Sequence, residues 1–350
     1  MKKIFALVCT AAMLCMMGCT KEKQQDNNDA TNGSNNGGGT PPPTVVEKEG
    51  LYNPAMRITN IVYGDNTPAE RWEWGSTQLQ SVKENDGSVL MSFGYDATGR
   101  VNSIERNISE WGGTLGVYYS GDYVDRITLE QGGESVVEAL VQHNNNHQVS
   151  GASLDLSDSY LLDIFNSALE EYIGNDSAEN LPAPTIDNAQ ASIAFDWAGR
   201  NVSASRMNVA FQATVSLGTI KQYILPFLSG TDSLMLAAFP DRTPITFHVT
   251  MNDTASYIYD DKVNPFRHYM GKLFDLANLD VEMLSANNVR EKNHTGALSL
   301  EISVSILTLP AYSYSLPDRS KSFTYRYNDG NYPTSVTDQD EVITTYVYQE

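Results

Sequence analysis

The chain has 350 residues, with 23 lysines and arginines against 43 aspartates and glutamates, for a net charge of −20. That balance excludes a protein that lives on nucleic-acid phosphates, whose affinity comes from clustered cations. All three cysteines, Cys9, Cys15 and Cys19, fall within the first 19 residues, so the remainder holds no disulfide and no thiolate metal site.

Lys2 and Lys3 precede an apolar run from Ile4 to Met17 that ends at Gly18-Cys19. The run is too short to span a bilayer as a mature helix and reads as a leader, residues 1–18. A small residue before cysteine fits a bacterial lipobox, with cleavage ahead of Cys19 and lipid on its thiol; the alternative is an ordinary secretory leader with a chance cysteine. Cleavage removes two lysines and no acid, taking the net charge to −22. Residues 19–46, rich in Asn, Asp, Gly and Ser and closing on Pro41-Pro42-Pro43, have almost nothing to bury and read as a flexible tether. The folded part is expected at 47–350 as one large β domain. Membrane contact is then through the N-terminal lipid at the outer membrane, facing either periplasm or medium.

Strands are predicted at Arg57 to Tyr63, Arg71 to Gly75, Gln78 to Lys83, Val89 to Tyr95, Val101 to Arg106, Leu115 to Tyr119, Tyr123 to Leu129 and Ser135 to Gln142. Turn residues separate them, as in Asn85-Asp86-Gly87 and Gly132-Gly133, which is an antiparallel meander. Its clearest hairpin runs from Phe93 to Ile104: Phe93 and Tyr95 share a face, Asp96 to Gly99 turn, and Val101 begins the return. Ser157-Asp158 is expected to cap an amphipathic helix over 157–173. Strands resume at Ser192 to Trp197. The apolar run from Leu217 to Phe239, broken by Pro226 and Gly230, reads as a buried crossing. Further strands are expected at Ile245 to Met251, Ala255 to Tyr259, Leu298 to Leu307, Phe323 to Tyr327, Pro333 to Val336 and Val342 to Tyr348, with a short helical stretch around Met270 to Leu276. The fold class is all-β, a meander curled into a barrel-like shell.

Three places, Phe93-x-Tyr95-Asp96, Phe195-Asp196-Trp197 and Tyr257-x-Tyr259-Asp260, carry parts of a motif that resembles the YD repeat of secreted β-shell proteins. The tail is more specific: Tyr259-Asp260-Asp261-Lys262-x-Asn264-Pro265-Phe266, then Leu284-Ser285-x-Asn287-Asn288, then Tyr325-x-Tyr327-Asn328-Asp329-Gly330-x-Tyr332-Pro333. This series resembles a family of uncharacterised lipoproteins of gut anaerobes, a domain of unknown function with a porin-like fold. The resemblance covers roughly residues 50–350 and implies architecture alone, with no catalytic residues to carry over.

Aromatic pairs at i, i+2 recur, and two readings of them compete. Same-face packing is one; the other is a row of rings, Trp72, Trp74, Phe93 and Tyr95, lining a groove for a carbohydrate or apolar ligand. A membrane-spanning barrel is disfavoured by the adjacent charges Glu105-Arg106 and Asp125-Arg126, since one of each pair would meet lipid. His143 and His147 flank Asn144-Asn145-Asn146, a loop, so no metal is expected, nor any cofactor. Glu70 and Glu73 beside the tryptophans look like a glycosidase pair, yet a solvated strand face accounts for them, and no enzyme is expected. Asp176-Ser177, Asp232-Ser233 and Asp253-Thr254 match a periplasmic O-glycosylation acceptor, marking Ser177, Ser233 and Thr254. The reading is a non-catalytic envelope lipoprotein that binds a carbohydrate or apolar ligand; the alternative is a scaffold whose partner is another envelope protein.

Overall fold

The computed structural model describes residues 48–64, 68–107, 112–158, 185–218, 237–273, 279–304, 307–308, 312–316 and 319–349, with positions 221, 230 and 234. Cys19, the tether, Ser177, Ser233 and nearly all of the expected 157–173 helix lie outside those residues, as does most of the expected 217–239 crossing.

The strands in chain order are β1 (Ile58–Tyr63), β2 (Pro68–Trp74), β3 (Leu79–Lys83), β4 (Val89–Tyr95), β5 (Val101–Arg106), β6 (Gly113–Ser120), β7 (Tyr123–Gln131), β8 (Glu134–His143) and β9 (Val149–Leu156). They continue as β10 (Thr185–Ala198), β11 (Asn201–Ser216), β12 (Pro244–Tyr259), β13 (Val289–Val304), β14 (Leu307–Thr308), β15 (Tyr312–Ser315), β16 (Lys321–Tyr327), β17 (Pro333–Asp338) and β18 (Ile343–Tyr348). Pairing is antiparallel throughout, and β18 returns to β1, so the sheet closes on itself. Because β14, β15 and β16 all pair along β13, they are pieces of one interrupted strand, and the ring is a sixteen-position barrel.

Local chemistry sets the turns. At 84–88, 96–100, 144–148, 328–332 and 338–342, the first residue's N–H donates to the fifth carbonyl, and the fourth N–H donates back to the first carbonyl. The fourth position has positive φ in each, filled by Gly87, Gly99, His147, Asn331 and Glu341. In the hairpin read from the sequence, the Asp96 carboxylate accepts from Thr98 N–H, Arg100 N–H and the Arg100 guanidinium. Those donors outweigh the effect of burial, which acts in the opposite direction, and hold the Asp96 carboxyl well below its usual range. Phe93 then pairs with Ile104 across the hairpin read from the sequence.

Alternation sets the faces. Along β12, Met251, Asp253, Ala255 and Tyr257 are buried while Asn252, Thr254, Ser256 and Ile258 are exposed. The expected break between 251 and 255 is therefore absent: polar Asn252-Asp253-Thr254 looks like a turn, but its outer members face away and Asp253 is paired inside. β9 and β11 were not foreseen, because their small and polar residues dilute the apolar signal. Of the short helical stretch expected around 270–276, residues 270–273 form a 3₁₀ turn and the rest lies outside the described residues.

Outward positions bear the ions. Lys83 meets Glu73 at 2.7 Å, Arg126 meets Glu138 at 3.2 Å, and Arg206 pairs with Asp196. Inward positions are apolar, including Val82, Ile104, Val117, Met207, Ala213 and Phe247. Among the described residues no helix is long and apolar enough to cross a membrane.

A ring this wide encloses more space than its own side chains fill; eight strands is the size at which they meet. Two segments take up the difference at one end. Residues 48–57, before β1, and 260–273 with 279–288, between β12 and β13, lie at the end that also carries the turns at 96–100, 144–148 and 328–332. Glu49 N–H donates to Asp122, Val101 N–H donates to Gly50, and Tyr52 Oη donates to Pro265 across the interior at 2.9 Å.

Candidate functional site

The tail motif builds the closed end. Asp260 accepts from Lys262 N–H, from the backbone and side chain of Asn288, and from the Tyr327 hydroxyl. Asn264 donates to the carbonyls of Glu282 and Ser285 and accepts from Phe266 N–H, while Asn287 donates to Lys262. These amides clamp 260–264 onto 284–288. Asn201, the first residue of β11, accepts from the N–H groups of Ala286 and Asn287 and fastens the clamp to the wall. Asp260, Asn264, Asn287 and Asn288 are therefore structural, satisfying backbone groups that would otherwise be costly to bury.

The rings sit beneath it. Trp72, 4% exposed, packs on Tyr269 with centroids 4.6 Å apart and on Phe266 at 6.2 Å. Phe93 lies 5.9 Å from Tyr269. Trp74 donates its indole N–H to Ile58 at 2.7 Å, and Tyr95 Oη donates to Leu79 at 2.5 Å. The four residues named for a ligand share one interior, as their spacing implied, and the plug segment covers it. Distant residues Phe266 and Tyr269 supply the cover, and only their aromatic character hinted at that from the sequence.

Glu70 accepts from the Trp72 indole on the inner side, whereas Glu73 pairs with Lys83 and Ser81 on the outer side. Facing opposite ways, they cannot flank one bond. His147 stacks on Tyr123 at 4.8 Å, and His143 contacts Glu49 at 3.1 Å; neither is near a second ligand set, and no cluster suited to a metal occurs among the described residues. Thr254 is exposed on the outer face of β12.

Two arrangements were not read from the sequence. Inside the long wall, Asp253 Oδ1 lies 2.6 Å from His294 Nε2 and Oδ2 lies 2.5 Å from Arg319 Nη2, with Asp253 and His294 essentially unexposed. These partners outweigh the burial that opposes ionisation and hold the Asp253 carboxyl below its usual range. At the closed end, a cleft of about 630 Å³ opens outward over the clamp, bordered by Lys48, Arg200, Lys262, Arg267 and His268.

No protein-family model matches the chain, and no curated protein does. Among solved structures it is similar to a porin-like protein from Bacteroides uniformis, 8% identical, over 83% of this chain and 98% of that one, with a TM-score of 0.30. The barrel rests on its own strand pairing.

Proposed function

We propose that the protein is a non-catalytic barrel of the bacterial envelope, anchored through Cys19 to the outer membrane and standing in water beside the bilayer. It acts as a recognition or assembly module, not as a conduit. The observation that carries this reading is the orientation of the wall: the outer face is mainly charges and Thr, Ser and Asn, with Leu140, Ile258, Ile343 and Val347 scattered among them, while the inner face is mainly apolar, the reverse of what a lipid-facing barrel needs. The plug supports it by closing one end.

The scaffold version, with another envelope protein as partner, gains from the packing of the rings. A glycan or apolar ligand at Trp72, Trp74, Phe93 and Tyr95 requires Tyr269 and Phe266 to withdraw. O-glycosylation at Ser177, Ser233 or Thr254 is compatible with either version, since Thr254 at least faces solvent.

Purification of the leaderless chain without detergent tests the reading. A monodisperse monomer or small oligomer that adds no conductance to planar bilayers is expected. A chain that dissolves only in detergent and opens ion-conducting steps would overturn it.

A further inference from the structure

We infer that the cleft at the closed end binds the phosphates of an anionic lipid surface and seats that end of the barrel against the membrane. The geometry of this inference rests on the anchored reading above; its chemistry does not. In a chain of charge −20, the cleft gathers Lys48, Arg200, Lys262, Arg267 and His268 from three separate segments. Its lining acid, Asp261, is 86% exposed and meets Lys262 at 3.4 Å. Lys48 pairs with Asp122 at 3.1 Å, also at the surface. Such exposed pairs hold their cations weakly, so a phosphate can share them.

Net charge does not forbid the contact. The screening length is about 8 Å at physiological salt, and strands of this barrel run roughly 20 to 50 Å, so most carboxylates lie beyond reach of a surface touching the cleft. Basic side chains near an anionic leaflet attract it individually. Two further observations favour a surface over a small solute. Leu51 and Val263, 38% and 37% exposed, border the same cleft and offer apolar tips to the headgroup zone. On the anchored reading the lipid joins the chain upstream of Lys48, which borders the cleft, so this is the end of the barrel nearest the attachment point. The clamp of Asn264, Asn287 and Asp260 beneath the cleft fixes its floor, so little ordering is needed on contact.

The test uses the unlipidated chain from residue 20 onward, co-sedimented with phosphatidylcholine vesicles with and without phosphatidylglycerol. Binding to the anionic vesicles alone, lost at high salt, is expected. The double variant Lys48→Glu/Lys262→Glu should weaken it by about tenfold or more, while Arg242→Glu, exposed in the turn before β12 at the opposite end, leaves it unchanged, all three chains keeping the same circular dichroism. Equal binding to neutral vesicles, or equal effects of both variants, would overturn the assignment. Saturable binding of inorganic phosphate without vesicle binding would overturn it in favour of a soluble phosphate. Release of a Cys19→Ala chain from cell membranes reports on the anchor separately, because the vesicle assay contains no lipidated cysteine.

Discussion

The wall from β1 to β8 and the wall from β10 to β13 use the same inside-outside alternation with opposite constructions. The first is made of strands of 5 to 10 residues whose register shifts at most pairings, for instance between Gly94 and Tyr95 and between Leu129 and Glu130. The second has strands of 14 to 16 residues, and β11 runs against β12 without a break from Ala204 to Ser216. Bulges bend and twist a strand, so the short wall wraps closely round the plug and buries rings there. The long wall fills its interior with its own aliphatic and aromatic side chains, Phe195, Phe247 and Tyr257 among them, and holds the charged cluster of Asp253, His294 and Arg319. Short strands with frequent shifts give curvature to grip with, and long strands, whose shifts lie between Asp187 and Gln190 and near the closed end, give height.

What both walls share is tested by alkali, which should have the largest effect. Burial pushes the Tyr95 phenol up to about 12, and raises Tyr119, Tyr257, Tyr259, Tyr325, Tyr346 and Tyr348 further. Folded phenols therefore keep protons that unfolded ones lose near pH 10, so their contribution is whole below about pH 10 and falls as pH climbs through the raised values. Absorbance at the phenolate band should rise together with loss of far-ultraviolet dichroism in one transition. Smooth ionisation near pH 10 with the dichroism intact would show that the rings of neither wall are sealed.

Asp253→Ala separates the walls. Removing this carboxylate leaves Arg319 and His294 facing each other in the interior, with Arg319 Nη2 3.1 Å from His294 Nε2, and should cost about 3–5 kcal/mol in urea unfolding. Hydrogen exchange should quicken first along β12 and β13. Uniform quickening that includes β1 to β5 would mean that the two walls open as a unit.

The short wall was legible in the sequence because its turns are local. Asp96 opens the turn at 96–100 and Asp86 supports the one at 84–88 from inside, glycine takes the positive φ at the fourth position of both, and β4 and β5 were read to the residue. The long wall was not, because its outward Thr, Ser and Asn resemble loop composition and Asp253 makes sense only beside His294 on another strand. The candidate site divides likewise. Strand spacing puts Trp72, Trp74, Phe93 and Tyr95 on one inner face, but Tyr269, which packs on Trp72 and Phe93, arrives from the far side of the chain. The cleft cations are scattered from Lys48 to Arg267, and only the pairing of β10 with β11 and the fold of the plug bring them together.

Gly99→Ala probes the short wall with the smallest expected effect. Gly99 has φ +85°, and an added Cβ would meet only the flexible end of Gln78, at 3.3 Å. Sterics between elements are therefore minor, and the cost is that of holding an L-residue in the left-handed region, about 1–2 kcal/mol. The Asp96 bonds to Thr98 and Arg100 oppose any rearrangement of the turn, so the variant should unfold at lower urea with an unchanged slope. If the slope falls as well, the turn has let go and the register of β4 on β5 is set by this hairpin. An unchanged slope means that the interior contacts of Phe93 and Ile104 hold the register even when the turn is strained, and the short wall owes its curvature to packing on the plug.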